Sequence, residues 1–99
     1  MISSLGRFDF VDSNCLHALQ QEVDYILDTL EVLRATKEIS NDAFLEAGSI
    51  QGGLTLILNL ISQGISDDEA NAQLTRLKQR AQSLNDAYPG LDDKIESRR

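Results

Sequence analysis

Cys15 and His17 are the only cysteine and the only histidine in the chain, so any search for nucleophilic chemistry begins with them. Two residues apart on a helix, they point about 200° away from one another and cannot pair as nucleophile and base within one chain. Two ligands are also too few for a zinc site. Carboxylates are more plentiful. His17, Gln21, Asp24, Asp28 and Glu31 recur at spacings of 4, 3, 4 and 3 and line one side of a helix. A di-metal carboxylate bundle needs Glu-x-x-His pairs on two helices, and the chain has none. The stripe reads as a solvated face, or as a docking face for a basic partner. Gly52-Gly53 lacks the further glycine and the lysine of a phosphate-binding loop. These residues imply no catalysis, no cofactor and no metal.

The cations are few and late. Arg76, Lys78 and Arg80 form the one basic cluster on a helix, with Arg98 and Arg99 after it. Lys78 lies well off the face shared by Arg76 and Arg80, and Asp67, Asp68 and Glu69 stand close by. With a formal net charge of −7, the chain starts at a disadvantage against a polyanion. Salt bridges from this cluster to the acidic first helix are the expected use. The acidic excess is early: residues 1–40 carry seven acids and three bases, whereas 66–99 carry seven acids and six bases.

Three helices must position these groups. Asp12 can cap the first, with Val11 and Leu16 placed as a hydrophobic staple. Leu16, Leu19, Val23, Ile26, Leu30 and Leu33 then follow at 3, 4, 3, 4 and 3, a heptad seam that no strand produces. The second helix starts after Ser40 and stops at Gly64, a residue tolerant of the left-handed conformation just past a helix end. It has two apolar seams. One carries Ala47, Ile50, Leu54, Ile57 and Ile61; the other, nearly opposite, carries Ser49, Gly53, Leu56 and Leu60. A helix greasy on two sides must be covered from two sides. In a monomeric bundle its two neighbours do this. Otherwise the Ser49–Gly53–Leu56–Leu60 seam pairs with a second subunit, which its small residues favour. The third helix opens on the capping box Ser66-Asp67-Asp68-Glu69 and closes at Pro89-Gly90. Its seam of Ala70, Leu74, Leu77, Ala81, Leu84 and Tyr88 is thin, predicting a peripheral helix or a shallow contact.

The expected fold is all-α: a helical hairpin plus a third helix, a three-helix bundle assembled as a homodimer. Residues 1–11 form an extended N-terminal arm, because Phe8 and Phe10 alternate with polar neighbours. Residues 12–88 form one helical domain, with helices over 12–36, 41–63 and 67–88, and residues 89–99 a flexible charged tail. The stretch from Ala47 to Ser66 is uncharged and long enough to cross a bilayer. Its Ser49, Gln51, Thr55, Asn59, Ser62 and Gln63 are costly in lipid, so it reads as a buried helix. The first residues lack the basic start and apolar run of a secretion signal, and a lone cysteine fits a reducing compartment; a cytoplasmic protein is expected.

The function expected is that of a small protein-binding module or regulator that docks on a protein partner and catalyses nothing itself. Its contact groups are Phe8 and Phe10 on the arm and the acidic Asp24, Asp28 and Glu31. The alternative is a nucleic-acid-associated regulator, binding directly through the third helix or acting as an acidic mimic of DNA. An enzyme is the least favoured class, because no cluster of titratable groups can be assembled.

Overall fold

The apolar periodicities settle into five helices in the computed structural model, which covers residues 1–99. Helix occupies 78% of the chain and no strand forms. The helices are α1 (Ile2–Gly6), α2 (Leu16–Ala35), α3 (Asn41–Ser62), α4 (Asp67–Ala87) and α5 (Leu91–Glu96). Asp12 caps a short 3₁₀ turn, Ser13–Cys15, by accepting from the Asn14 N–H, so the α-helix proper begins four residues after the cap. Ser40 accepts from the Ala43 N–H at 3.1 Å and Ser66 from the Glu69 N–H at 3.2 Å. Each hydroxyl satisfies a backbone donor that the first turn leaves free. Gly64 ends α3 at φ 90°, and the α2–α3 turn places Lys37 at φ 61°, where an L side chain is strained.

α3 is the middle helix and packs on both α2 and α4. The heptad seam of α2 is buried at Leu19, Val23, Ile26, Leu30 and Leu33, and faces Ala47, Ile50, Leu54, Ile57, Leu58 and Ile61 of α3 within one apolar cluster. Arg34 closes the turn end of this hairpin with its guanidinium 4.6 Å from the centre of the Phe44 ring. On the other flank Leu77 of α4 lies directly over Gly53, where an added Cβ would come within 2.5 Å of Leu77 Cδ1. Ser49 receives the Arg80 guanidinium at 2.6 Å. These two contacts fix α3 and α4 as antiparallel.

The thin third helix, α4, is an outer helix of the layer, yet its seam is fully covered from Ala70 to Leu84. Ala70, Leu74, Leu77, Ala81 and Leu84 are all buried, because the two ends of the chain cover what α3 leaves open. α1 packs on α4 and α5, and α5 packs on α2, so the ends bridge the outer helices of the layer. The segment expected to be an extended arm is therefore helical at its start. Met1, Leu5 and Phe8 recur at 4 and 3, and all three are buried. Beyond the turn, Asn71 accepts from the Val11 N–H at 2.9 Å and donates to the Val11 carbonyl at 2.8 Å. One side-chain amide thus does for an extended residue what a neighbouring strand would do. Lys78 donates to the Phe8 carbonyl at 2.5 Å.

The tail expected to be flexible is likewise folded. Leu91 and Ile95, one turn apart, are buried in α5, and Tyr25 of α2 donates to the Ile95 carbonyl at 2.7 Å. Asp92 ties the ends together: it accepts from the Met1 ammonium at 2.6 Å, from the Ser3 N–H at 3.0 Å and from the Ser3 hydroxyl. Burial alone would raise the Asp92 pKa, but these donors outweigh it and hold the carboxyl below its ordinary value of 3.8.

Candidate functional site

The outward side of α2 carries Asp24, Asp28 and Glu31, all exposed, together with Leu27, 46% exposed. Leu27 stands three residues after Asp24 and four before Glu31, so both carboxylates flank it on the helix surface. Asp24 is held by Gln20 at 2.9 Å, and Glu31 faces Arg34 at 3.4 Å. Asp28 has no protein partner among the hydrogen bonds and ion pairs. An apolar knob framed by acids is what the stripe amounts to. Leu27 was absent from the residues expected to form this face, although its place beside the carboxylates follows from helical spacing.

The two arm phenylalanines part company. Phe8 is buried, with 7% of its surface exposed, and belongs to the core; its expected role as a contact residue is corrected accordingly. Phe10 is 53% exposed. The alternation that suggested an arm with two outward aromatics fails because Phe8 closes the α1 turn instead. Cys15 is half-buried, with its Sγ 3.7 Å from the Phe10 carbonyl, and His17 is exposed. No three side chains among His, Cys, Asp and Glu converge closely enough to hold a metal ion.

The seam expected at a subunit interface is divided: Gly53 is covered from within the chain, whereas Ser49 and Leu56 stay exposed. Ser49 and Gly53 face α4 through Arg80 and Leu77, and Leu60 is half-buried. Leu56 remains 53% exposed. The small residues thus let α4 approach α3. Two others, Gly48 and Gly52, have no such use, since an added Cβ at either meets nothing within 4 Å. With Leu45, 66% exposed, and Leu56 they mark an outward face of α3 that neither neighbour reaches. Along its α4 edge run two open clefts that share Arg80. One, of about 260 Å³, is lined by Glu46, Ser49 and Ser83; the other, of about 210 Å³, by Leu56, Gln73 and Arg76. Glu46 lines the first of these clefts and Asp42 stands one turn before it on α3; desolvation and these two carboxylates hold the Tyr88 phenol at the end of α4 above its ordinary pKa.

The α4 cations make no ion pair with α2, contrary to the expectation, because α4 lies against α3 and α1. The partners of α2 come from the chain ends. Glu22, 5% exposed, pairs with Arg7 at 3.6 Å and with Arg99, whose guanidinium stacks 4.2 Å from the Tyr25 ring centre. Glu96 joins both arginines, at 3.4 Å to Arg7 and 2.6 Å to Arg99. Glu22 stands three residues after Leu19 and four before Ile26, inside the apolar seam, and that position was the available signal.

Taken together these features define a small all-α bundle, closed by its own termini, whose outward faces on α2 and α3 carry exposed leucines. No protein-family model, no curated protein and no solved structure matches the chain.

Proposed function

We propose that this chain is a protein-docking module, without chemistry of its own, that works as a homodimer and presents the outward face of α2 to its partner. The observation that carries the reading is Leu27, nearly half exposed on a long helix between Asp24 and Glu31 with Asp28 beside it. A leucine in such a frame suits a partner helix or strand with an apolar stripe between lysines or arginines. The leucine supplies desolvation and the acids supply orientation and fast encounter. Phe10 is a second exposed anchor. Phe8 drops out because it is committed to the core.

The test is affinity capture from the native cell with the immobilised chain and two variants, Leu27→Lys and Asp24→Lys/Asp28→Lys. A protein held by the natural chain and lost by both variants, with unchanged far-UV circular dichroism, supports the reading. A partner retained by both variants overturns it, as does nucleic acid as the retained species. The face also predicts that capture weakens as salt rises, because rim charges are screened.

A further inference from the structure

The outward face of α3 has a composition that the fold does not explain. Asn41, Leu45, Gly48, Gly52, Leu56 and Asn59 recur along it and none is charged, in a chain with net charge −7. Each glycine costs an isolated helix about 0.8–1 kcal/mol relative to alanine. Gly53 has its compensation in Leu77, but Gly48 and Gly52 have open space above them.

The edge of this face toward α4 supplies the occupant. Arg80 is level with Ser49 and Leu77 with Gly53, so Arg76 falls about one turn further on, where it lines a cleft with Leu56. Read along α3, the edge runs Asp42, Glu46, Arg80, Arg76: two acids, then two bases. None of the four takes part in an ion pair within the chain. Such an order complements itself only when a second copy lies antiparallel. A two-fold axis level with Gly48 brings Asp42 across from Arg76 of the other copy and Glu46 across from its Arg80. It also sets Leu45 over the Gly48–Gly52 notch of its mate, the close approach that glycines permit.

We infer that two copies of this chain pair antiparallel through the outward face of α3, about a two-fold axis near Gly48, with Glu46 and Arg80 matched across the contact. This rests on the self-association in the proposed function and assigns it a face and a register. The interface is isologous, so it closes at two copies. Its uncharged centre spares two acidic subunits the repulsion that most of their surface would impose.

The experiment is sedimentation equilibrium of the full chain over a concentration series, supported by light scattering. The natural chain is expected at about twice its 11.0 kDa mass. Glu46→Arg and Arg80→Glu each reverse two contacts per dimer and should weaken association by about tenfold. The combined Glu46→Arg/Arg80→Glu chain should regain the dimer. Gly52→Leu should yield a monomer with unchanged helicity, since Gly52 is exposed and an added Cβ there meets nothing within 4 Å in its own subunit. A natural chain that stays monomeric at every concentration overturns self-association altogether. A dimer indifferent to Gly52→Leu and to both reversals leaves self-association standing and overturns this face.

Discussion

Removing both arginines that hold Glu22, in the variant Arg7→Ala/Arg99→Ala, leaves a carboxylate with 6% of its side chain exposed and no cation beside it. Stripping the partners from a buried charge costs about 3–5 kcal/mol. The two arginines keep 47% and 25% of their side chains in solvent, so either one alone contributes only about 1 kcal/mol. The effect is therefore expected to be more than additive: about 1 kcal/mol for each single change and about 3–5 for the pair. For a domain of this length the double change lowers the melting temperature by on the order of 15–30 °C. Adding Glu22→Met to the double variant removes the stranded charge and should restore most of the loss. The shortfall is the stacking of Arg99 on Tyr25, about 0.5–1 kcal/mol. Thermal and urea unfolding followed by far-UV circular dichroism give all five free energies. A double variant that loses no more than the sum of its singles, or a methionine that restores nothing, would refute the claim that the chain ends are clamped through a buried carboxylate.

Three further outcomes are expected. Lys37→Gly relieves a left-handed residue and should raise stability by about 1 kcal/mol, seen as a higher urea midpoint at unchanged slope. Gly53→Ala drives a Cβ into Leu77, which is itself buried. The overpacking cost of about 1–3 kcal/mol should exceed the roughly 1 kcal/mol of helix propensity gained, giving a lower melting temperature where most glycine-to-alanine changes in a helix raise it. Asp92 is held below its ordinary pKa of 3.8, so its ionised form favours the fold, and its contribution is complete above that value. It fades as pH falls through the depressed folded pKa. Asp92→Asn should consequently be less stable than the natural chain near neutrality, with the difference shrinking below about pH 3.8 in a pH series of denaturant titrations.

The long helices were legible because each signal was local. Leu16 to Leu33 set a seam, Ser40 and Ser66 set starts, and Gly64 set a stop, all within a few residues of where they act. The short ones were not. One turn of helix, Ile2–Gly6, is too brief for periodicity to separate from alternation, so Phe8 and Phe10 outweighed the Met1, Leu5 and Phe8 spacing. What holds that turn is Asp92, at the far end of the chain, and no local reading reaches it. α5 was hidden for the same reason: Leu91 and Ile95 give a single repeat, meaningful only once the gap between α2 and α1 exists to receive it. The acidic stripe on α2 was visible as spacing, whereas the division of small residues on α3 was not. Gly52 and Gly53 are adjacent in sequence and alike in type, yet only the placement of Leu77 shows that one is used within the chain and the other is not.

The arrangement of α3 explains why the chain ends are built as they are. A central helix whose outward face neither neighbour reaches is buried only on its other sides, by α2 and α4. Those two helices then stand apart, each with an apolar seam that a three-helix layer leaves half covered. Met1, Leu5 and Phe8 from one end, with Leu91 and Ile95 from the other, supply the missing cover. Glu22 and Asp92 lock the ends by charge where apolar area is scarce. The same division partitions the surface. On the outward side of α2, Asp24 and Asp28 have no cation beside them and Glu31 faces Arg34, whereas acids balanced by Arg80 and Arg76 border α3. Under the proposed docking, a face offered to a basic partner keeps most of its acids free, and under the proposed pairing a face offered to a second copy is neutral in sum. The two leucine-bearing surfaces of this bundle differ in that respect, and the difference is the ground on which the two proposals assign them different occupants.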